Sequence, residues 1–165
     1  MSKFIVDSNF FIQAHRAIYP IDVVQSFWLK IKNLADSGTI VSIDKVKLEI
    51  FDNSAHEDEL KDWCQNNLSD SFFHNTDSVL QNYISIVNWA SSANYTDRAK
   101  QKFLETDLAD PWLVAYAMST GDTIVTYEKS EPNIKRRIKI PEVCKEFNVR
   151  NVNTIEMLRE LNESF

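Results

Sequence analysis

The sequence predicts an α/β fold with a parallel sheet, and three stretches near its beginning carry that prediction. Phe4, Ile5 and Val6 form an apolar run with no period of two, which is typical of a short strand buried on both faces. An amphipathic stretch at 21–37 and a β-branched run at 39–43 follow it. A strand, a helix and a second strand in this order form a βαβ unit, whose strands are parallel.

Size and composition favour one globular domain, which we expect to span residues 1–165. The chain has 165 residues, 44% of them hydrophobic and 25% charged, which is enough to bury one core. It has two glycines and therefore no P-loop or glycine-rich dinucleotide motif. No signal peptide or run of about 18 apolar residues is present, so the sequence predicts a cytoplasmic protein. Because the net charge is -6, any nucleic-acid binding must be local or metal-assisted.

The first half of the chain carries most of the predicted helices. Residues 10–17 predict a short helix that ends before Pro20, because the residue before a proline is pushed out of the helical region. The apolar stripe of 21–37 recurs every three or four residues, and Gly38 after it suits a C-cap. Asp44 is expected to cap the next helix. Further helices are predicted at 58–67, 77–90 and 97–104, whereas residues 71–73 are ambiguous.

The second half opens with an unusually apolar helix. Pro111 belongs in a first helical turn, where its missing N–H does no harm, so Asp110 stands at the N-terminal end. Residues 112–118 are apolar nearly all round, which indicates a buried helix, and Gly121 closes it. The remaining predictions are strands at 123–126 and, at a sheet edge, 149–152, and helices at 140–147 and 154–161.

Acidic side chains stand where a parallel sheet binds its ligands. Asp7 follows the first predicted strand directly, and Glu128 follows the strand at 123–126. In open α/β sheets, ligands bind at the carboxyl ends of the strands. An unpaired carboxylate buried there is costly, and a bound cation or a hydrogen-bond network is the usual remedy. Glu49, in the helix after the second strand, and Asp110 are the other candidate acids.

Four stretches carry a resemblance to a known family. In chain order they are FIVDSN at 4–9, Glu49, ADPWLVAYA at 109–117 and TYE at 126–128. This order resembles that of the PIN domain, a family that includes the VapC toxins. The TYE ending, followed by IPEVC and NVNTIEML, more narrowly resembles a bacterial PIN-like branch (DUF4411-like). Each motif alone is common, but the four occur in the right order and the resemblance covers nearly the whole chain.

The resemblance implies a Rossmann-like three-layer α/β/α sandwich. In such a fold the acids gather at the carboxyl ends of a central parallel sheet around one or two divalent cations, Mg²⁺ or Mn²⁺. The resemblance implies metal-binding and catalytic roles for Asp7, Glu49, Asp110 and Glu128. It implies supporting or substrate-positioning roles for Asn9 and Thr126. The fourth acid is more often aspartate in the wider family, so Glu128 reaches about one methylene further.

The same resemblance implies a metal-dependent endoribonuclease that leaves 5′-phosphate and 3′-hydroxyl ends. It implies RNA as the substrate, and a toxin–antitoxin pair in which a protein antitoxin masks the acidic cleft. A homodimer through the helix at 21–37 or the helix at 77–90 is compatible with it. Carboxylates suit this chemistry because Mg²⁺ prefers oxygen ligands, and paired metals about 4 Å apart stabilise the attacking and leaving oxygens.

Two other function classes compete with the nuclease. A PIN-like scaffold with impaired metal binding would act through protein contacts, and an absence of Mn²⁺ binding would favour it. A phosphatase would use Asp7 as its nucleophile. That class requires a second acid two residues later, where this chain has Asn9, so the sequence argues against it.

Several residues also have simpler interpretations. Considered alone, Asp110 is best interpreted as an N-cap, which stabilises a helix by about 1 kcal/mol. Only the presence of the other candidate acids favours a catalytic role for it. Asp44 and Asp52 are alternatives to Glu49, and Asp107 either supports the site or is exposed. A charge run such as Lys135, Arg136, Arg137 and Lys139 is usually a solvated surface, although it can contact phosphates. The histidines lack metal-ligand spacing.

Overall fold

The computed structural model describes residues 3–52, 58–105 and 107–165, and in this part of the chain the strands form one parallel sheet. The spatial order is β3-β2-β1-β4-β5, and each neighbouring pair is parallel. The bounds are β1 (Phe4–Val6), β2 (Ile40–Ile43), β3 (Phe73–His74), β4 (Thr123–Val125) and β5 (Asn151–Val152). The predicted parallel sheet is therefore confirmed, with the first strand at its centre.

Helices connect the strands and cover the sheet, which gives the expected three-layer α/β fold. Their bounds are α1 (Ser8–Gln13), α2 (Gln25–Asp36), α3 (Asp44–Asp52), α4 (Asp58–Asn67), α5 (Leu80–Ser92), α6 (Asp97–Phe103), α7 (Asp110–Thr120), α8 (Ile140–Glu146) and α9 (Thr154–Glu160). A π-helical turn (Ala14–Ile18) extends α1, and 3₁₀ turns precede β3 and α5. No described helix has both the length and the apolar character needed to cross a membrane.

The chain changes direction across the sheet between β1 and β4. From β1 it builds outward through β2 and β3, and it then returns to the other side of β1 to build β4 and β5. Such a switch point opens a crevice at the carboxyl ends of the two central strands, and ligands of open α/β sheets bind there. The residues that follow β1 and β4 therefore occupy the position where a ligand site is expected.

The core lies against both faces of the central strands. All residues of β1, β2 and β4 are buried, as is usual for a parallel sheet covered by helices. The Ser42 hydroxyl in β2 donates a 2.7 Å hydrogen bond to the Val6 carbonyl, so this polar group is satisfied inside the sheet. The bond also fixes the end of β1 immediately before Asp7.

The structure differs from the predicted elements in several places, and three of these differences have a clear local cause. α2 begins at Gln25 rather than at 21, because Pro20 starts a turn in which its carbonyl accepts from the N–H groups of Val23 and Val24. The long helix after Asp77 begins as a 3₁₀ turn, so α5 itself starts at Leu80. The ambiguous segment at 71–73 contributes to β3, which is too short to show a period and is defined by its pairing with β2.

Gly121 ends α7, as the sequence predicted. Its φ is +77°, and its N–H donates to the Ala117 carbonyl as the chain turns into β4. A side chain at φ near +77° is strained, and no heavy atom lies within 4 Å of an added Cβ to change that cost. Gly121 therefore connects the helix that carries Asp110 to the strand that precedes Glu128.

We expect Gly121→Ala to lower the free energy of unfolding by about 1–2 kcal/mol, because alanine is strained in the left-handed region. Gly121→Asn should lose less, since asparagine tolerates this region better. Urea denaturation measures both changes, with Ser119→Ala on the exposed last turn of α7 as the control. Equal stabilities for wild type and Gly121→Ala would contradict the assignment of strain to this position.

Candidate active site

Asp7 is a buried carboxylate at the end of the central strand. It is 2% exposed, and its Oδ1 accepts a 2.7 Å hydrogen bond from the Phe10 N–H, which makes it the N-cap of α1. Its Oδ2 is buried and has no hydrogen-bond partner among the described residues. Asp7 thus explains the start of α1, but only one of its oxygens is satisfied by the cap.

Burial is the main cause that raises the pKa of Asp7 to about 7. The hydrogen bond from Phe10 opposes this effect, and the negative charges of Glu128 and Glu49 add to it. The Thr126 hydroxyl favours the ionised form. A carboxyl group with these surroundings is protonated mainly below neutral pH, and a nearby positive charge would favour its ionised form.

Glu49 connects the segments that carry two of the other acids. Its Oε1 accepts from the Ser8 hydroxyl at 3.4 Å, and its carboxylate also accepts from the Ala109 N–H. Burial raises the pKa of Glu49 to about 7, and these two hydrogen bonds oppose the shift. Because Ser8 and Ala109 are the sequence neighbours of Asp7 and Asp110, Glu49 lies beside the start of α1 and the start of α7.

Asp110 is the first residue of α7 and is half-buried. Burial raises its pKa well above the usual value, and the charges of Glu128, Asp7 and Glu49 raise it further. The guanidinium of Arg137 acts in the opposite direction. The four predicted acids therefore lie close enough together to affect one another's ionisation.

Glu128 is held by a segment that precedes α8. Its Oε1 accepts a 2.5 Å hydrogen bond from Arg137 Nη2, and its Oε2 accepts from the Ile140 N–H at 2.8 Å. Its own N–H donates to the Thr126 hydroxyl at 3.2 Å. Thr126 is 2% exposed, and because its hydroxyl also affects the pKa of Asp7, it is a buried group next to both acids.

The remaining candidate residues do not all line the same cavity. Asn9 is half-buried and lines a cavity of about 330 Å³ together with Glu128 and Arg137. Asp52 and Asp107 line a separate cavity of about 440 Å³ that includes Glu49.

Asp44 is not an N-cap, because α3 begins at Asp44 itself. Its carboxylate accepts from the Thr76 hydroxyl at 2.8 Å and from the Thr76 N–H, so it joins α3 to the segment before α5.

The donor types at the cluster fit a hard divalent cation, but the side chains are not yet positioned around one ion. Within the part of the chain that the structure describes, no three acidic, histidine or cysteine side chains form a set that would bind a metal as they stand. Glu128 instead uses its two oxygens for Arg137 and Ile140. The free Oδ2 of Asp7 and the surrounding carboxylates are the oxygen donors that Mg²⁺ and Mn²⁺ prefer.

Sequence reasoning missed the role of Arg137. The run at 135–139 predicts a solvated surface that can also contact phosphates, and Lys135, Arg136 and Arg137 are exposed. Arg137, however, pairs with Glu128 nine residues earlier. No periodicity relates residues across an irregular segment, so the sequence held no signal for this pair. Ser8 was also missed, although its place beside Asp7 was visible.

The chain matches one family model and is similar in structure to a solved protein. A family model described as a domain of unknown function (DUF4411) matches residues 4–165. A chain in the crystal structure of VapBC2 from Rickettsia felis bound to a DNA fragment from their promoter aligns with a TM-score of 0.52 at 16% identity, covering 91% of this chain and 97% of that chain. No curated protein matches. The structural likeness shows a shared fold.

The buried acids predict a pH effect on stability when no divalent cation is present. A carboxyl whose pKa rises on folding stabilises the fold below its ordinary pKa, and that contribution is lost as pH rises through the folded value. For Asp7 the window runs from about pH 4 to about pH 7. Asp7→Asn keeps an oxygen for the α1 cap but carries no charge, so it should be more stable than wild type at pH 8.

Urea denaturation in EDTA at pH 5 and pH 8 tests this expectation. The difference between Asp7→Asn and wild type should grow by a few kcal/mol, at about 1.4 kcal/mol for each unit of pKa. Asp62→Asn, at an exposed position on α4, is the control and should show no such growth. A difference that is independent of pH would mean that Asp7 is not held protonated by burial.

Proposed function

This chain belongs to the family described as a domain of unknown function (DUF4411), and we propose that it is a metal-dependent endoribonuclease with a PIN-like fold. The observation that carries the proposal is the position of Asp7 and Glu128 at the ends of β1 and β4, on either side of the switch point. Glu49 and Asp110 join them within electrostatic range. An ordinary core does not need four acids around one crevice.

In this proposal Asp7, through its free Oδ2, is the central metal ligand, with Asp110, Glu49 and Glu128 as the further carboxylates. A bound Mg²⁺ or Mn²⁺ would supply activation of water and stabilisation of charge on the phosphodiester oxygens. The chain supplies the positions. Glu49 lies beside the starts of α1 and α7. The Thr126 hydroxyl accepts from the Glu128 N–H and so positions the backbone at Glu128.

Asn9 and Arg137 lie beside Glu128, where they can contact the substrate. Both line the cavity that contains Glu128, and Arg137 is 51% exposed while it pairs with that acid. A guanidinium beside carboxylates offsets their repulsion of an anionic substrate, and its planar donors suit phosphate oxygens. We assign Asn9 to substrate positioning rather than to the metal.

We further propose that the protein acts as the toxin of a toxin–antitoxin pair. The similar VapBC2 chain belongs to a structure of a complex on promoter DNA, and this supports a protein partner here. Large apolar side chains remain exposed on α2 and just before it, with Leu29 at 61% and Val23 at 73%. On α5, Leu80 and Ile84 are also exposed. These positions supply apolar area for an antitoxin or for a second copy of the chain.

A scaffold without metal chemistry is the second candidate function. The observation that favours it is the pairing of Glu128 with Arg137 and Ile140, which leaves no assembled ligand set among the described side chains. Isothermal titration with Mn²⁺ separates the two proposals. Binding that is lost in Asp7→Asn supports the nuclease, whereas an absence of binding to the wild type supports the scaffold.

Asp7→Asn and Asp110→Asn should each reduce Mn²⁺-dependent cleavage of single-stranded RNA by at least about 100-fold, because each removes a charged ligand. The measurement is the initial rate of cleavage of an end-labelled oligoribonucleotide at saturating Mn²⁺. Asp62→Asn should retain the wild-type rate. Cleavage by Asp7→Asn at the wild-type rate would exclude the proposed active site.

A further inference from the structure

We propose that a basic groove beside Asp110 binds the sugar-phosphate backbone of the single-stranded substrate on one side of the cleaved bond. The basic groove is defined by Arg98, Lys102, Arg136 and Arg137, which line a cavity of about 300 Å³ that also includes Asp110. This inference rests on the proposed nuclease function and specifies how its substrate is held. Neither the sequence motifs nor the family description assigns a role to Arg98 or Lys102.

Two separate segments form the walls of the groove and are joined by the backbone. Arg98 and Lys102 lie four residues apart on one face of α6, and Arg136 and Arg137 come from the irregular segment before α8. The Thr96 N–H, at the start of α6, donates a 2.9 Å hydrogen bond to the Lys135 carbonyl. The groove is therefore a built feature of the fold and does not depend on long side chains that happen to approach each other.

Arg137 pairs with Glu128, but the other three cations of the groove have no such partner among the described residues. Like charges at i and i+4 on a helix are unfavourable by a few tenths of a kcal/mol, and Arg98 and Lys102 have this spacing. Arg98, Lys102 and Arg136 form no ion pair with any residue in the described ranges. In a chain with a net charge of -6, three neighbouring cations without an ion pair predict an anionic ligand.

The groove continues into the active site. Arg137 lines the basic groove beside Asp110 and also lines the cavity that contains Glu128 and Asn9. A strand whose phosphate lies at the acids must extend away from them in both directions. The basic groove opens at Asp110 and thus lies on that path, which favours a phosphodiester backbone over an acidic protein segment as its occupant.

The composition of the groove limits what it recognises. Apart from the cations and Asp110, its lining is apolar, with Ala99, Phe103, Leu108 and Ile138. Among the described residues that line it, none has a hydroxyl or amide side chain to read a base or a 2′-hydroxyl, and Phe103 is 2% exposed, so no base can stack on it. Contacts to phosphates position a strand without reading its sequence. The groove should therefore hold RNA and single-stranded DNA alike, and any preference for RNA or for a sequence must arise elsewhere.

The salt dependence of binding tests the groove without relying on cleavage. Fluorescence anisotropy in EDTA gives the Kd of a labelled 12-nucleotide single-stranded RNA between about 50 and 200 mM salt. Each lost phosphate contact should lower the slope of log K against log salt by about 0.7. The double variant Arg98→Gln with Lys102→Gln should lower it by about 1.4, and Arg136→Gln alone by about 0.7. Because all three side chains are exposed, the variants should keep the wild-type circular dichroism spectrum.

The matched control removes the same charge elsewhere. Lys145→Gln with Arg159→Gln changes two exposed cations on α8 and α9 that do not line the groove, and it should leave the slope unchanged. An equal loss in the control and in the groove variant would overturn the proposal. So would a groove variant that weakens binding of a polyglutamate peptide but not of RNA, since that result assigns the groove to an acidic protein partner.

Failure of the groove and failure of the nuclease give different results. If the wild type binds Mn²⁺ and cleaves RNA while the groove variants keep the wild-type salt slope, only the groove proposal is wrong. If the wild type neither binds Mn²⁺ nor cleaves RNA, the nuclease is wrong. The groove then guides no substrate to the acids, even where the salt slope falls.

Discussion

The structure depends on one buried carboxylate at the end of its central strand. Asp7 begins α1 through Oδ1, but its Oδ2 has no partner in the described chain, and burial alone would disfavour its charged form. Asparagine or serine at this position would cap α1 without burying a charge. A buried acid in this position is therefore better explained by a ligand than by stability, and the other acids extend the same reasoning.

The arrangement around Glu128 shows how the protein keeps a cluster of acids folded. Arg137 supplies a positive charge to Glu128 and opposes the raised pKa of Asp110, while the Ile140 N–H satisfies the second oxygen of Glu128. A carboxylate cluster that lacked these partners would be strongly self-repelling. The same contacts explain why the described acids do not yet form a ligand set. Any cation that engages Glu128 competes with a guanidinium and a backbone N–H.

Acids and bases are separated around the crevice in a way that net charge does not reveal. Glu49 lines a cavity with further acids, Asp52 and Asp107, whereas Asp110 lines the neighbouring basic groove. The negative side suits cations, and the positive side suits a phosphate chain. An overall charge of -6 therefore excludes only a general attraction to nucleic acid and is compatible with a local one.

The sequence by itself determined the features that depend on neighbouring residues. The apolar runs gave β1, β2 and β4, Pro111 and Gly121 marked the two ends of α7, and a resemblance ordered the four acids along the chain. Only the tertiary structure decided which distant groups meet. β3 exists through its pairing with β2, and Arg137 reaches Glu128 across an irregular segment. Arg98 and Lys102 form a groove with residues more than thirty positions away. The physical reason is that periodicity and capping are local properties, whereas electrostatic pairing and shared cavities depend on where the folded backbone places each side chain.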